Sequence, residues 1–488
     1  MAEPVEEQGL VKEITPLSVD FDRWYTDVVR KAELADWTFV QGMMVIRPYG
    51  FALWEHIQRA FDDMIKASGH ENMAFPLLIP QEFLLKEAEH IEGFAPEVAW
   101  VTKVGKGMKE LEQPLAIRPT SETIIGPIMR KYIQSHRDLP KLTNQWCNVM
   151  RWEMRTRLFL RSREFYWQEG HTFHSTAQEA EDEVHLILGY YRDLAQDWLA
   201  VPVDVGLKSE TEKFAGAVYT TSIEGMMRDG QALQMGTSHY FGQNFSRAYD
   251  IGFANRENQR ELCYTTSWGV STRLIGALIM AHGDDSGLIL PPRVAPIQVV
   301  AVPILRSDEP SREAVRGCLR TLEAQLRGAV RFKVDWREDV RPGEKYAEWE
   351  VKGVPLRLEV GPRDVEAGQV VLVDRLRREK RPVPIEGLAE RLRAELAQFH
   401  LDLYHRAQTF KAEHTADLID LAAVVDHYRT DGGFVRALWC GRGECEAQVK
   451  LETGGVTTRN FPENEVIEGT CVVCGREAKH RVTFAKAY

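Results

Sequence analysis

The stretch at residues 148–171, NVMRWEMRTRLFLRSREFYWQEGH, carries more arginine, aromatic and acidic side chains than a solvated strand needs. Arg151 and Glu153 lie two positions apart, and Phe165, Trp167 and Glu169 keep the same alternation, so on extended strands each set points to one face. The pattern predicts two antiparallel strands joined by a basic loop near residues 154–160. Guanidinium groups bind phosphate or carboxylate in a planar, bidentate manner. A site for an anionic, planar ligand is therefore favoured over an edge hairpin with solvated charges.

The overall composition indicates what class of protein carries this site. At 488 residues, with 44% hydrophobic and 27% charged residues, the chain is sufficient for about three globular domains. The net charge of −11 argues against a general nucleic-acid coat protein but leaves room for local basic patches. The N-terminal residues MAEPVEEQ lack the apolar core of a secretory signal, and no apolar run suggests a membrane span. We expect a cytoplasmic protein without membrane contact.

The order of residues in the opening stretch carries a resemblance to a known family. Arg-x-Glu, a loop and then Arg161-x-x-x-Phe165-x-x-x-Glu169 resembles motif 2 of the class II aminoacyl-tRNA synthetases. The flanking residues look like the prolyl-tRNA synthetase version, and the resemblance extends from about residue 20 to residue 488. About 100 residues separate this motif from the next, which leaves no room for the editing insertion of bacterial-type enzymes. The archaeal/eukaryote-like type is the match.

Two further motifs follow in the family's order. An apolar-faced helix from Pro48 and a strand at 73–80 around Pro76 resemble motif 1 (about 50–78), the dimer element, although periodicity alone favours a core helix and strand. The segment 265–280, in which Arg273 begins an apolar helix, resembles motif 3. The helix dipole disfavours an arginine there. A nearby ATP γ-phosphate would explain Arg273 better than a snorkelling side chain does.

The implied architecture is α+β. After a flexible acidic tail at 1–18, the resemblance implies a catalytic domain at 19–290, built on an antiparallel class II sheet flanked by helices. An α/β anticodon-binding domain at 291–405 and a small α/β zinc-binding domain at 406–488 follow. A homodimer is implied as well.

The resemblance also implies which residues bind the substrates, L-proline, ATP with Mg²⁺, and tRNA(Pro). Arg151 and Arg273 would be the catalytic arginines. The proline site would consist of Thr120, Glu122, Arg151, Trp167, Phe214 and His239. The ATP site would consist of Arg151, Glu153, Arg161, Ser162, Phe165, Gln234, Thr237, Ser271 and Arg273. Read without the family, Thr120-Ser-Glu122 is a helix N-cap signal and a lone histidine is usually structural.

Contacts with tRNA are implied at two places. In the segment 345–364, Tyr346 would stack on an anticodon base, Glu350 would accept from a base amine and Arg357 would donate to a guanine edge. The basic loop at 155–159 would contact the tRNA acceptor end. A second basic run, RLRREKR at 375–381, is either a solvated turn or a phosphate contact.

Cysteine spacing predicts a metal site independently of the family. Cys440 and Cys445 form one close pair, and Cys471 and Cys474 form another after a 25-residue gap. Two such pairs with adjacent glycines are typical of structural tetrahedral Zn²⁺ with no open position, and favour it over free thiols. The remaining cysteines, Cys147, Cys263 and Cys318, are predicted to be small buried residues.

Other functions stay open at this level. A sibling class II synthetase, such as threonyl or histidyl, shares the three motifs. A catalytically inactive paralogue would act as a tRNA-binding or regulatory protein, but such proteins typically lose the motif arginines. A zinc-bearing nucleic-acid module would explain only the C-terminal residues. The chain ends in Tyr488, and the resemblance implies that this terminus is tucked toward the catalytic domain.

Overall fold

The apolar helix predicted from Pro48 is present at Pro48–Ala67 in the computed structural model, which describes residues 14–90 and 97–488, with the side chains of 86–90 left aside. Proline suits the first turn because its missing N–H has no partner there. Gly69, at φ +91°, follows the helix end. The face that carries Leu53, Ile57 and Phe61 is buried in the main core of the predicted catalytic domain at 19–290, which we call the catalytic region.

The catalytic region contains most of the secondary structure. In chain order its elements are α1 (Phe21–Lys31), β1 (Ala35–Trp37), β2 (Met44–Ile46), α2 (Pro48–Ala67), β3 (Glu71–Asn72), β4 (Leu78–Pro80), α3 (Gln81–His90), β5 (Trp100–Val104), β6 (Lys109–Ile117), α4 (Glu122–Tyr132), a 3₁₀ turn (His136–Asp138), β7 (Lys141–Met150), β8 (Glu164–His174), α5 (Ala177–Asp193), a π-helical turn (Leu194–Trp198), β9 (Val203–Leu207), β10 (Tyr219–Met226), β11 (Ala232–Gly242), α6 (Asn244–Tyr249), β12 (Gly252–Ala254), β13 (Arg260–Leu262), β14 (Tyr264–Ser271) and α7 (Arg273–His282).

A seven-stranded sheet in the order β3-β7-β8-β14-β11-β10-β9 carries the motif strands. Its neighbours are antiparallel except for β3 and β7. Helix α7 is buried along almost its whole length and packs with α2 in the core behind the sheet. Smaller sheets pair β1 with β2, β12 with β13, and β4, β6 and β5. The predicted antiparallel catalytic sheet flanked by helices is confirmed.

Two local predictions in this region are wrong. The strand expected at 73–80 is interrupted, because the N–H of Phe75 donates to the Gln145 side chain at 2.6 Å and its carbonyl accepts from Arg118 at 2.8 Å. Side chains thus take the place of a strand ladder around Pro76, which has no N–H to give. The described part of the predicted tail is not loose: Ile14 is buried, and the N–H of Leu17 donates to Asp285 at 2.7 Å. Residues 1–13 lie outside the described residues.

The middle region forms the predicted second sheet. Its elements are β15 (Val299–Pro303), α8 (Glu309–Leu326), β16 (Phe332–Val334), α9 (Pro342–Val351), β17 (Leu356–Val360), α10 (Pro362–Glu366), β18 (Gln369–Asp374), β19 (Lys380–Pro384) and α11 (Leu388–Glu413). In the sheet β16-β15-β17-β18-β19, strand β15 is parallel to both of its neighbours and the last two strands are antiparallel. The predicted boundary at 405/406 lies inside α11, which is a continuous helix.

The C-terminal region has a small sheet of its own, in the order β20-β21-β23-β22. Its elements are β20 (Thr415–Asp417), α12 (Leu421–Thr430), β21 (Phe434–Trp439), α13 (Gly443–Thr453), β22 (Thr457–Thr458) and β23 (His480–Ala485). Among the described residues, no helix is both long enough and apolar enough to cross a lipid bilayer.

The basic run at 375–381 joins the middle region to the catalytic region. Arg375 pairs with Asp284 at 2.6 Å, and Arg378 reaches the same carboxylate at 3.3 Å. Arg377 pairs with Asp402, and Arg381 pairs with Glu395 at 2.5 Å. Carboxylates of this chain therefore neutralise the run. The run is thus not a free phosphate site, although residues 378–380 at its tip are exposed, as expected of a turn.

Candidate active site

A polar cavity of about 240 Å³ opens beside the middle strands of the seven-stranded sheet. Most of the predicted proline and ATP residues line it: Thr120, Glu122, Arg151, Phe165, Trp167, Phe214, Gln234, Thr237, His239, Ser271 and Arg273. Glu153 and Arg161 line an adjoining cavity that shares Arg151. Ser162 lines neither, because it is buried and its hydroxyl donates to the carbonyl of Glu164 at 2.8 Å.

Arg151 stands at the junction of the two cavities. Its N–H donates to the carbonyl of Arg163 at 2.8 Å, and its Nε donates to the carbonyl of Pro119 at 3.0 Å. The guanidinium lies 5.5 Å from the ring centre of Phe165 and 5.3 Å from that of Trp167. Backbone bonds and two aromatic rings hold this cation, while the remaining guanidinium nitrogens stay available to an anion.

The geometry around Arg151 corrects the sequence prediction. Strand β7 ends at Met150, so Arg151 and Glu153 do not alternate on a strand. The N–H of Glu153 instead donates to the carbonyl of Arg151 at 2.7 Å in a tight turn. The alternation on the second strand is as predicted: Phe165, Trp167 and Glu169 lie on β8, and the rings of Phe165 and Trp167 meet edge to face at 6.0 Å.

Arg273 begins α7 and turns back under the cavity. Its Nε donates to the carbonyl of Leu160 at 3.2 Å, and its Nη1 donates to that of Gln234 at 3.4 Å. Burial, together with the charges of Arg161 and Arg151, lowers the pKa of Arg273 to about 10. Arg273 therefore still carries its charge at neutral pH and is repelled by the guanidiniums of Arg161 and Arg151. That field favours an anionic ligand between them.

The acidic end of the cavity is built around Glu122. Thr120 donates its hydroxyl to one carboxylate oxygen, and Ser267 donates to the other at 3.1 Å. Glu122 is the first residue of α4, as the N-cap signal predicted, but the Ser121 side chain forms no cap bond and donates to Glu169 instead. This buried carboxylate, presented with neighbouring hydroxyls, suits a cationic amine.

Glu169 and His171 are site residues that the sequence prediction did not assign. Gln145 Nε2 donates to Glu169 at 2.8 Å, and His171 Nε2 lies 3.1 Å from its other oxygen. Burial alone would raise the pKa of Glu169, but the bond and charge of His171, with Ser121 and Gln145, hold that pKa below its ordinary value. Burial likewise opposes protonation of His171, yet Glu169 and the charge of Glu122 raise its pKa. Glu169 already belonged to the alternation 165, 167, 169 but was given no role, and one further step along it would have found His171.

An apolar corner of the cavity faces Glu122. The rings of Phe214 and His239 lie 4.8 Å apart, and Thr220 Oγ1 is 2.9 Å from His239 Nδ1. Burial, with the charges of Lys208 and His171, lowers the pKa of His239 to about 3, so the imidazole is neutral. Lys208 also lines the cavity and was missed, since a single lysine after a strand carries no distinguishing pattern.

The loop between β7 and β8 differs from its prediction as a basic surface. Leu158 and Phe159 are buried. Arg157 pairs with Asp22 at 2.9 Å and stands 4.7 Å from the Tyr25 ring centre. Hydrophobic burial thus removes Leu158 and Phe159 from the surface, Arg157 is half-buried in an ion pair, and among 155–159 only Arg155 is exposed.

The chain terminus lies against the catalytic sheet. The N–H of Tyr488 donates to the carbonyl of Ala232 at 3.2 Å, and its hydroxyl donates to Asp229. The guanidinium of Arg157 lies 5.2 Å from its ring centre. The tucked terminus is as expected, and Gln234 of the cavity is two residues along β11 from Ala232.

The anticodon candidates meet at a second cavity in the middle region. Glu350 and Arg357 line it. The guanidinium of Arg357 lies 4.2 Å from the ring centre of Tyr346 and pairs with Glu359 at 2.9 Å. The structure thereby brings a cation, a ring and carboxylates to one surface.

The four predicted metal ligands converge. The sulfurs of Cys440, Cys445, Cys471 and Cys474 all lie within 4.8 Å of one another, with Cys440 3.6 Å from Cys445 and 3.7 Å from Cys474. A tetrahedral zinc with Zn–S bonds of ~2.3 Å places its sulfurs ~3.8 Å apart. The donor set therefore fits Zn²⁺.

The prediction for the other cysteines is only partly correct. Cys263 is buried, whereas Cys147 and Cys318 are partly exposed. Cys147 lies beside the cavity, where its sulfur accepts from the Trp167 indole at 3.3 Å and donates to Glu169 at 3.4 Å.

Comparison with known proteins agrees with this arrangement. A family profile described as the tRNA synthetase class II core domain (G, H, P, S and T) matches residues 102–282. An anticodon-binding-domain profile matches 298–395, and a prolyl-tRNA synthetase C-terminal profile matches 423–488. The proline–tRNA ligase of Symbiobacterium thermophilum is 51% identical over 99% of this chain and 100% of its own. The chain belongs to the prolyl-tRNA synthetase family.

Other relatives match over nearly their whole length, and a solved structure shares the fold. A Roseiflexus proline–tRNA ligase is 52% identical over 97% of this chain and 99% of its own, and the Bacillus cereus proline–tRNA ligase 2 is 48% identical over 98% and 99%. The crystal structure of the Cryptosporidium parvum prolyl-tRNA synthetase, complexed with halofuginone and AMPPNP, aligns with a TM-score of 0.93 at 40% identity, over 100% of this chain and 99% of its own. The predicted family, fold class and enzyme class, an aminoacyl-tRNA ligase, are confirmed.

Proposed function

We propose that this prolyl-tRNA synthetase activates L-proline with ATP, giving prolyl-adenylate and pyrophosphate, and then transfers proline to the 3′ end of tRNA(Pro). The observation that carries the proposal is one cavity with two ends. Arginines and a stacking ring lie at one end, and a buried carboxylate beside an apolar corner lies at the other. A zwitterionic imino acid and a polyphosphate fit this polarity together.

The arginine end binds ATP. Arg151 contacts the α-phosphate and the proline carboxylate, while Arg161 and Arg273 hold the triphosphate with its Mg²⁺. Phe165 stacks on the adenine, with Glu153 accepting from its amine, and Gln234, Thr237 and Ser271 add polar contacts. Ser162 is left out because its hydroxyl is committed to the Glu164 carbonyl. The proline carboxylate then attacks the α-phosphorus, and the protein contributes mainly position and charge.

The acidic end binds proline. Glu122 and Thr120 accept the two N–H bonds of the protonated secondary amine. Trp167, Phe214 and the neutral His239 enclose the pyrrolidine ring, whose burial a charged imidazole would oppose. Behind them, Glu169 and His171 form a buried pair that keeps the Ser121 side chain beside the pocket.

The middle region binds the anticodon through Tyr346, Glu350 and Arg357. These residues offer stacking, an acceptor and a planar donor to bases. At the acceptor end we propose Arg155 as the tRNA contact of the loop between β7 and β8, because Arg157 is paired within the protein.

A structural Zn²⁺ is proposed at Cys440, Cys445, Cys471 and Cys474. A closed four-thiolate site supplies folding energy and no open position for chemistry. Thiolates must stay reduced to serve as ligands, which supports a cytoplasmic location.

A homodimer is proposed through the motif 1 elements. Leu77, which immediately precedes β4, and Trp100, on the edge strand β5 of the β4-β6-β5 sheet, both have exposed side chains. Exposed apolar side chains suit burial against a partner. Light scattering of the purified protein tests this, and a monomer at micromolar concentration would contradict it.

ATP–pyrophosphate exchange with a panel of amino acids tests the main proposal. Proline should support the fastest exchange. Alanine and cysteine should react more slowly, because each methylene of apolar contact that they lack raises the activation free energy by ~1–3 kcal/mol. Faster exchange with threonine or histidine would indicate a sibling class II specificity. Absence of exchange with every amino acid would indicate an inactive paralogue, although Arg151, Arg161 and Arg273 are all present.

A further inference from the structure

The loop between β9 and β10, residues 208–218, forms one side of the amino-acid pocket; we call it the pocket loop. Lys208, Glu212 and Phe214 from this loop line the cavity. The N–H groups of Glu212 and Lys213 both donate to the carbonyl of Ser209, at 3.1 and 3.0 Å. These bonds make a tight turn, so a shift of its outer residues moves Phe214.

The outer side of this turn is held by the C-terminal region. Thr211 donates its hydroxyl to Glu446 Oε2 at 2.6 Å, and Thr458 donates to the other carboxylate oxygen. Gly443, the first residue of α13, lies so close that a β-carbon there would sit 3.2 Å from the Thr211 methyl carbon. The first turn of α13 therefore contacts the pocket loop by both a charged hydrogen bond and apolar contact.

Glu446 is held rigidly and can therefore fix the position of the pocket loop. It is buried, and it follows Cys445, one of the four clustered cysteines, on the same helical turn. A buried carboxylate that accepts two hydroxyl groups is costly to displace, because its oxygens would lose partners without gaining water. On the inner side, the N–H of Phe214 donates to Thr220 Oγ1 at 3.0 Å, and that hydroxyl contacts His239.

We infer that Glu446 is a positioning residue for the amino-acid pocket. Through Thr211 it fixes the pocket loop and thereby holds the ring of Phe214 against His239. The C-terminal region would thus determine affinity for proline from outside the cavity, without touching substrate. The inference rests on the proposed function only in taking proline as the ligand enclosed by Phe214.

Steady-state exchange kinetics of Thr211→Val test it first. Thr211 is an exposed residue, so the substitution leaves the core intact. We expect the KM for proline to rise about tenfold, the scale of one hydrogen bond to a charged group, with the KM for ATP and kcat unchanged. Thr211→Ser, which keeps the hydroxyl, should restore the wild-type KM. Combining Thr211→Val with Glu446→Gln should add no further increase in the KM for proline, because both changes act on the single Thr211–Glu446 contact.

Hydrogen exchange supplies a readout that does not depend on activity. Backbone amides of the pocket loop should exchange faster in Thr211→Val than in the wild type. Glu444→Gln is the matched control, since Glu444 is exposed on the same turn of α13 and flanks Cys445 on the other side. It should change neither the KM for proline nor exchange in the loop.

Distinct results would overturn the two proposals. A wild-type KM for proline in Thr211→Val, or equal rises for proline and ATP, would refute the positioning role. If the wild type shows no proline-dependent pyrophosphate exchange, the proposed function fails. Hydrogen exchange of the pocket-loop amides in Thr211→Val then still decides whether Glu446 holds the pocket loop.

Discussion

Arg459 donates to Glu224 at 3.1 Å, joining the C-terminal region to the catalytic sheet through a pair that is almost completely buried. Lys208 of the pocket loop lies 3.6 Å from the same carboxylate. Beside this cluster, Leu207 and Phe461 exchange two backbone hydrogen bonds, of 2.8 and 3.0 Å, and a β-carbon at Gly206 would collide with the Phe461 carbonyl. The C-terminal region thus packs against the β9 edge of the catalytic sheet and joins it through one antiparallel bridge.

Breaking this pair should be strongly destabilising. Arg459→Met leaves the buried Glu224 carboxylate with the more distant Lys208 and the Ser222 hydroxyl as partners, and removal of one partner of a buried ion pair typically costs about 3–5 kcal/mol. Denaturant unfolding followed by tryptophan fluorescence measures the loss. The control is Arg481→Met, which breaks an exposed ion pair with Glu465. This substitution should lower the free energy of unfolding by less than about 1 kcal/mol. Equal losses in both variants would contradict the assignment.

Arg151→Ala should disable the first chemical step. The substitution removes the cation placed between the two cavities, and loss of one transition-state donor costs about 10²–10³ in rate. ATP–pyrophosphate exchange should fall by that factor while the melting temperature changes little. Arg155→Ala should keep near-normal exchange, because Arg155 is exposed and its proposed partner is tRNA, which the exchange reaction does not use. Normal exchange in Arg151→Ala would remove the role proposed for this residue.

His239 should make folding stability depend on pH in a defined direction. The pKa of His239 is lowered to about 3 in the folded state by burial, against ~6.5 in the unfolded chain. Between these values only the unfolded state takes up the proton, so the stabilising effect is present above pH ~6.5 and is lost as pH falls. From pH 7 to pH 5 the wild type should lose about 2 kcal/mol more than His239→Gln.

An exposed histidine provides the opposite control for that measurement. Partial burial would lower the pKa of His185, but its hydrogen bond to Glu463 raises it. Its contribution is therefore present at low pH and lost as pH rises. His185→Gln should remove stability at pH 5 rather than at pH 7. Identical pH profiles for the wild type and His239→Gln would show that His239 titrates normally.

Loss of the metal site should unfold the C-terminal region. The purified protein should contain one zinc per chain, and Cys471→Ser should abolish it, since a fourth thiolate completes the tetrahedron. In isolated peptides such sites stabilise folding by ~10–16 kcal/mol, so the melting transition should move markedly. Cys263→Ser and Cys318→Ser should keep full zinc content. Retention of zinc in Cys471→Ser would exclude the proposed ligand set.

Arg357→Ala should separate tRNA recognition from amino-acid activation. Loss of a bidentate contact to a base costs ~1–3 kcal/mol, so the KM for tRNA in aminoacylation should rise by about 10- to 100-fold. Pyrophosphate exchange should be unchanged, because Arg357 lies in the middle region. Arg363→Ala, at an exposed neighbouring position, is the control. A fall in exchange for Arg357→Ala would argue against an anticodon role.

Most of the large elements could be predicted from sequence because their signals are local. The helix from Pro48 follows from a proline, apolar spacing and a terminal glycine. The convergence of four cysteines follows from two short spacings that need no long-range information. The family motifs likewise consist of short, ordered patterns around Arg151 and Arg273.

The errors share a different cause. Whether Arg157 faces solvent depends on Asp22 and Tyr25, which lie more than a hundred residues away. The break at Pro76 depends on side chains of Arg118 and Gln145, and the basic run at 375–381 depends on carboxylates at Asp284 and Asp402. The amino-acid composition of these segments shows their charge and polarity, but it does not show which distant side chains form ion pairs or hydrogen bonds with them.

The sequence by itself determined the fold class and the family, and it predicted the arginines and cysteines that the structure brings together, since each is encoded by residue type at short spacing. Only the tertiary structure decided that Glu169 and His171 form one buried pair, that Ser162 turns away from the cavity, and that Glu446 reaches Thr211 across 235 residues. These relationships arise where separate elements pack together. Their physical basis is burial and long-range hydrogen bonding, which no local pattern records.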